Sequence, residues 1–461
     1  MSKNTTNIII LFFSFLLMVL ILVFFPAEAE VKKGLAILLF ISILWVSEAF
    51  PISISALFIP VFAVIFGIFD VKDAFKSFAH PIIFLFLGGF ALASALKKHD
   101  IDKIIAYKIV KLGNGDFKTA SFLIMLTTYI LSMWISNTSA TLIMLPLALG
   151  LLSTYENIDL NNNGNDKDSN ERNNLKNIYS FLLLGIAYSA SIGGIATIIG
   201  SPPNAITSSS LNMGFLEWFE VGFPISLILM PVIYVILYLY FKPNVKNHNI
   251  NLNNNFKYTN KTILTFIIFL SIAILWMVSG KIAKLIGVSS YMDSIIAVIG
   301  IILLFSLKLI DWKDLNESTD WGVLMLFGGA LSLSSILSTT GTGEFIANIL
   351  ISFMNSIPIS MFIFGIILFS MILTNIMSNT GVAGVLMPVL IAAAMELNIS
   401  PELIALPVGI AVSCAYMLPV GTPPNAIVFA EGYLNEKDMI KVGFILSLIS
   451  SVIIAGYFLL L

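Results

Sequence analysis

Apolar runs as long as a membrane span follow one another from residue 8 to the end of the chain, and they leave few folds open. A crossing takes about 20 apolar residues as an α-helix, and a segment that turns back takes fewer. Inside hydrocarbon every backbone N–H and C=O needs a partner within the protein, so such runs must be helical. Of 461 residues, 58% are hydrophobic and 11% charged, with mean hydropathy +0.97; soluble domains carry roughly 25% charged residues. An all-α polytopic membrane protein is expected.

Other classes fall away on charge and cysteine content. A net charge of −2 without blocks of like charge gives nucleic acid nothing to bind. Cys414 is the single cysteine, which excludes disulfides and cysteine metal sites within one chain. The single arginine, Arg172, sits in a polar stretch, so no arginine is available within the apolar runs to clamp an anion. The first run, after "MSKNTTN", is too long for the h-region of a signal peptide, and "PAEAE" is a poor cleavage site. It reads as an uncleaved first helix.

Four runs are irregular, and they pair. Runs 119–152 and 359–397 exceed one crossing and carry the same polar tripeptide near their middle, in "ISNTSATLIMLP" and "MSNTGVAGVLMP". Each reads as a re-entrant helical hairpin turning at SNT. Runs 178–210 and 402–429 contain "GSPPNAI" and "GTPPNAI". A double proline removes two donors and pushes its predecessor out of helical geometry, so both are helices broken in mid-membrane.

The pairing extends along the chain. Trp45 answers Trp276, Gly88-Gly89 answers Gly328-Gly329, and Pro146 answers Pro388, each eight residues after its SNT threonine. One Asn-rich insertion, Ser153–Asn177, polar and low in complexity, reads as a flexible loop. Five crossings and a hairpin per repeat, with one helix before both, make eleven crossings in two inverted repeats. With the N-terminus inside, 18 of the 24 lysines and arginines lie on the cytoplasmic side, the others being Lys32, Lys33, Lys72, Lys76, Lys281 and Lys284. That bias obeys the positive-inside rule. It places the N-terminus in the cytoplasm and the C-terminus outside.

Inverted repeats with broken helices are the build of secondary transporters, whose site lies at the repeat interface near the midplane. Carbonyls at a half-helix C-terminus attract a cation, and N–H groups at an N-terminus attract an anion. Ser132 stands four residues before Ser136, and Thr374 four before Ser378. Residues so spaced share a helix face, so each hairpin offers two hydroxyls and an Asn carbonyl to one hard cation. Glu48 and Asp293 lie near helix ends, and a titratable relay of the kind proton-coupled carriers use is missing from the repeated motifs. Sodium coupling is favoured.

These paired SNT and PPN motifs, the hydroxyls four residues earlier and the overall length resemble the divalent anion:sodium symporter family of di- and tricarboxylate carriers. The resemblance covers essentially the whole chain. It implies a homodimer in the lipid bilayer working as an elevator, with a static scaffold and a mobile transport domain. Scaffold helices would fall in 1–118 and 242–358, and the transport-domain halves in 119–241 and 359–461. Carried onto this sequence, it implies one sodium site from Ser132, Ser136, Asn137 and Gly200, and another from Thr374, Ser378, Asn379 and Gly421. A dicarboxylate would meet Asn137, Thr138, Ser201 and Pro202 from one half, and Asn379, Thr380, Thr422 and Pro423 from the other. The halves differ where Ser201 answers Thr422 and Ser139 answers Gly381.

An enzyme would need a nucleophile–base pair or a metal triad; the chain has no HExxH, no GxSxG and only isolated histidines at 80, 99 and 248. A channel suits two opposed hairpins less well than alternating access does. Within the same fold a sodium-independent exchanger, a sulfate or citrate carrier and an ion antiporter remain alternatives. The topology is directly testable. Alkaline phosphatase fused after Leu461 should be active, and the same enzyme fused ahead of Met1 inactive; the reverse pattern would invert the assignment.

Overall fold

Helix starts in this chain are set by short polar side chains that accept the first free N–H groups. Asp116 accepts from Thr119 N at 2.9 Å, Thr259 from Thr262 N at 3.1 Å and Asp320 from Val323 N at 3.1 Å. Asp116 also takes the Thr119 hydroxyl at 2.6 Å, and these bonds hold its carboxyl below the ordinary range. The structure, a computed structural model, describes residues 3–113, 116–163, 169–244, 258–288, 290–354, 358–396 and 399–460. They are helical throughout, with turns and short 3₁₀ segments between.

Among the described residues, nine helices are long and apolar enough to cross a membrane. Two of these, Ile359–Ile376 and Asn379–Glu396, are the arms of one hairpin. The eleven expected crossings are completed by Ala29–Ser47, Ile52–Ile65, Met292–Ser306 and the interrupted pair Pro401–Ala411 and Pro423–Ala430.

Hairpin 1 enters as Phe117–Ser132, turns over Met133–Ser136 and leaves as Asn137–Asn163. Hairpin 2 enters as Ile359–Ile376, turns at Met377 and Ser378, and leaves as Asn379–Glu396. Each pair of arms packs together. Broken helix 1 runs Ser169–Ile195, opens into a 3₁₀ turn at Ile198–Gly200 and resumes as Pro202–Ser210. Broken helix 2 repeats the plan with Pro401–Ala411, Pro419–Gly421 and Pro423–Ala430. Ser201 and Thr422, each before the double proline, are extended at φ −150° and −144°, as a residue preceding proline must be.

The Asn-rich insertion corrects a reading. Ser153–Asn177 was expected as a loop, yet the exit arm continues helical to Asn163 and broken helix 1 begins at Ser169; residues 164–168 lie outside the described set, as does His248. A helix leaving the membrane keeps its backbone paired at no cost to polar side chains that water solvates. Composition signals solvation here, not loss of helix.

Cross-packing of the repeats brings the irregular elements together. Pro202–Ser210 lies on the exit arm of hairpin 2, while Pro423–Ala430 lies on the exit arm of hairpin 1 and on Ser169–Ile195. Each broken helix thus supports the opposite hairpin. Around them Pro81–Lys98 packs on Met292–Ser306, and Trp321–Thr339 on Ile52–Ile65. The Gly-Gly pairs serve this close approach: a Cβ on Gly88 would sit 2.6 Å from Ala297 Cβ, and one on Gly329 2.6 Å from Ala56 Cβ. The paired tryptophans are equivalent. Trp45 Nε1 donates to Ile52 O at 3.2 Å and Trp276 Nε1 to Asp293 O at 3.0 Å, both rings fully buried.

Trp276→Phe keeps an aromatic ring stacked near Phe215 (5.0 Å, 23° for the indole) but removes the donor. Asp293 O lies within the helix Met292–Ser306 and keeps its helical partner, so the lost indole bond costs about 0.5–1.5 kcal/mol. Cys414 is fully buried, so a maleimide dye reports unfolding of the solubilised protein. Trp45→Phe and Trp276→Phe should label at lower temperature than wild type, and Trp276→Ala, which adds a cavity, at a lower temperature still.

Candidate functional site

The serine of each SNT motif is an N-cap. Ser136 Oγ accepts from Ser139 N at 3.2 Å, and Ser378 Oγ from Gly381 N at 3.1 Å. Capping fixes the next two residues, Asn137-Thr138 and Asn379-Thr380, in the first turn of each exit arm. Their N–H groups have no carbonyl one turn earlier, so each tip presents the positive end of a long helix. The broken helices cannot do the same, because Pro202-Pro203 and Pro423-Pro424 carry no donors. Attraction for an anion therefore belongs to the hairpin tips.

Behind each tip three oxygens converge. Ser132 Oγ lies 2.6 Å from Asn137 Oδ1 and 2.7 Å from Ala190 O. Thr374 Oγ1 lies 2.7 Å from Asn379 Oδ1 and 2.7 Å from Val412 O. One hydroxyl proton can satisfy one of the two acceptors, so each cluster is an all-oxygen concentration short of positive charge. Hard cations take neutral hydroxyl and carbonyl ligands of this kind. Ser132 and Thr374 are fully buried. The expected residues Ser132 and Asn137, and Thr374 and Asn379, are thus brought together, and each cluster gains a carbonyl of a broken helix, Ala190 or Val412, that the motifs did not indicate.

The asparagine of PPN, absent from the expected site, closes the break. Asn204 Nδ2 donates to Gly194 O and Thr197 O, each at 2.7 Å. Asn425 Nδ2 donates to Ala415 O at 2.9 Å and Leu418 O at 3.1 Å. In both halves the acceptors stand ten and seven residues before the asparagine. These carbonyls lost their helical donors where the chain opens, and the amide replaces them. The amide oxygens of Asn204 and Asn425 are buried and accept no hydrogen bond among the described residues.

Space at the first break depends on two glycines. A Cβ on Gly194 would lie 2.3 Å from Asn137 Oδ1, and one on Gly200 2.5 Å from Gly194 O. In the second half Ala415 stands in place of Gly194, and a Cβ on Gly421 would meet neighbours only at 3.4 Å. The wiring of the tips also differs. Thr197 Oγ1 donates to Met133 O at 2.5 Å, whereas the equivalent link in the second half runs from Met417 N to Asn375 Oδ1 at 2.7 Å. Thr422 Oγ1 accepts from Asn425 N at 3.3 Å, while Ser201 makes no such cap.

A cavity of about 630 Å³ opens at the tip of hairpin 1. Ser136, Thr138, Gly200 and Pro202 line its inner end, and Lys97, Lys98, Lys103, Asp102 and Asp314 its rim. Lys98 bridges to Asp314, and to Asp311 at 3.5 Å, joining the two repeats. Asn379, Thr380, Thr422 and Pro423 do not line this cavity. On their side the exit arm of hairpin 2 is packed against Ala29–Ser47, Trp321–Thr339 and Thr342–Met354. Gly384 lies so close to Trp45 that a Cβ would be 2.9 Å from its ring. The tip of hairpin 1 borders this cavity, whereas the exit arm of hairpin 2 is packed and its tip residues Ser378, Asn379 and Thr380 stay partly exposed.

These clearances give a graded expectation. Gly200→Ala should displace the hairpin 1 tip and destabilise by about 1–3 kcal/mol, the usual cost of overpacking, whereas Gly421→Ala should change little. Dye labelling of Cys414 against temperature measures both. Asn204→Ala should rank with Gly200→Ala, because Gly194 O loses its amide donor, while Thr197 O keeps only the bond from Gly200 N at 3.3 Å.

Comparison with known proteins agrees with this geometry. A family profile described as "Citrate transporter" matches residues 42–409 and again 294–461. An "Uncharacterized transporter" of Haemophilus influenzae is 42% identical over 99% of this chain and 97% of its own. The "Sodium-dependent dicarboxylate transporter SdcS" of Staphylococcus saprophyticus is 32% identical over 98% of this chain and 91% of its own. Among solved structures, the Alcanivorax borkumensis YdaH transporter shares the fold with a TM-score of 0.53. It is 12% identical, covering 83% of this chain and 85% of that one. The chain is thus a multi-pass membrane transporter and not an enzyme, and it belongs to the divalent anion:sodium symporter family, among the citrate and dicarboxylate carriers.

Proposed function

We propose that the chain couples sodium entry to uptake of C4-dicarboxylates of the succinate, malate and fumarate class. The observation that carries the reading is the repeated oxygen triad, Ser132–Asn137–Ala190 and Thr374–Asn379–Val412, behind a helix N-terminus. Each triad takes one sodium ion, joined by Ser136 and Gly200 in the first half and by Ser378 and Gly421 in the second. The bound ions supply the positive charge that the site lacks in arginine. A dianion then binds over both tips, on Asn137, Thr138, Ser201 and Pro202 and on Asn379, Thr380, Thr422 and Pro423. Sodium and substrate occupy neighbouring positions, so each raises the affinity for the other.

In this reading residues 119–241 and 359–461 form a transport domain that moves as an elevator against the scaffold of 1–118 and 242–358, within a homodimer. The N-terminus is cytoplasmic and the C-terminus external. The cavity at hairpin 1 is the inward vestibule. The name of SdcS, a sodium-dependent dicarboxylate transporter, supports the choice of ion and of anion.

Reconstituted protein should take up labelled succinate only with an inward sodium gradient at equal pH. Asn137→Ala and Asn379→Ala should each abolish uptake, since a buried cation losing a ligand loses several kcal/mol of binding. Sodium-independent uptake that requires internal dicarboxylate would replace symport by exchange. Sodium-driven uptake of sulfate or citrate in place of succinate would replace the substrate.

A further inference from the structure

A second cavity of about 340 Å³ lies beside the vestibule, between the helix Ile101–Lys111 and the exit arm of hairpin 1. Its walls are chemically divided. Leu142, Ile143, Pro146 and Leu147 make one side apolar, and Lys97 and Lys103 stand at the other, with no carboxylate in the lining. The volume is within the range of ligand pockets, which pair an apolar bed with a few polar groups. Lys97 forms no ion pair among the described residues, and Lys103 has an exposed partner, Asp100, at 2.6 Å, a contact of little strength in water.

Position narrows the occupant further. Lys97 is in the last turn of Pro81–Lys98, where a span of 28 apolar-rich residues, Val71–Lys98, meets the membrane boundary. Leu142 is 53% exposed on an apolar helix, so the apolar side is open toward the bilayer. A small dicarboxylate has nothing to place on four aliphatic side chains. An amphiphile with an anionic head has both parts matched: basic pockets between helices at the membrane boundary hold lipid headgroups, and lysine stems lie along apolar surface while their ammonium groups stay polar.

We infer that this cleft is a binding site for an anionic phospholipid, its phosphate on Lys97 and Lys103 and an acyl chain along Leu142, Pro146 and Leu147. The cleft and the vestibule share Lys97, Lys103, Ser139 and Ile143. A lipid seated there separates the exit arm of hairpin 1 from Ile101–Lys111. The inference holds whatever anion the carrier moves.

Native mass spectrometry of the purified full chain, titrated with phosphatidylglycerol and with phosphatidylcholine, tests it without a transport assay. Phosphatidylglycerol should bind preferentially. Lys97→Gln should weaken it about fivefold, the attraction of one lysine near an anionic surface, and the double change K97Q/K103Q should erase the preference. Leu142→Trp, which fills the apolar side and leaves both charges, should also weaken phosphatidylglycerol. Dye labelling of Cys414 at the wild-type temperature confirms that each variant is folded. Equal binding of the two lipids by wild type, or unchanged preference in K97Q/K103Q, would overturn the proposal. So would complete displacement of the lipid by soluble glycerol phosphate, which would make this a small-anion site.

Discussion

A helix interrupted inside a membrane leaves backbone carbonyls that water cannot reach, and the whole site is organised around satisfying them. Asn204 and Asn425 supply the missing donors from the position directly after the double proline. Because each amide is tied to carbonyls ten and seven residues earlier, the break has a fixed width, not a hinge. Ala190 and Val412 are then held where the hydroxyls of Ser132 and Thr374 can meet them. The hairpin tip is seated on the break, and the N-cap serine sets the direction of the exit arm. Removing the amide would free the carbonyls, and the cluster behind the tip would lose its floor.

The two halves use this plan with unequal tolerance. The first is built on glycine, with Gly194 admitting the Asn137 amide and Gly200 passing over Gly194. The second has room for Ala415 and links its tip through Asn375. The environments differ as well, since hairpin 1 borders a cavity and the exit arm of hairpin 2 is pressed onto the helix of Trp45. In an inverted repeat, equivalent elements can exchange unequal surroundings, which is the geometric requirement for alternating access.

Much of this was legible in the residues. SNT and PPN placed the turns and breaks, because polar triplets and paired prolines inside apolar runs admit few other structures. The hydroxyls of Ser132 and Thr374 were read as sharing a helix face with the SNT serines, whereas the entry helices end before those serines and the hydroxyls meet the SNT asparagines across the turn. Three kinds of partner escaped. The PPN asparagines were read as part of a break signal, although an asparagine beside orphaned carbonyls is the expected donor. Thr197 and Asn375 act over sequence distances that no local pattern encodes. The Asn-rich segment was misread because its composition reports solvation, and a solvated helix has the same composition.

What the sequence determined by itself is the set of elements: which stretches are helical, where two of them break, where two turn back, and that the pattern occurs twice. Those follow from local rules, namely the cost of unpaired backbone in hydrocarbon, the geometry of proline and the period of the helix. Only the tertiary structure decided which carbonyl completes each oxygen cluster, why Gly200 is confined and Gly421 is not, and which tip borders the cavity. Each of these depends on contacts between segments far apart in the chain. Distances of a few tenths of an ångström separate a tolerated methyl group from a clash, and no local pattern carries that information.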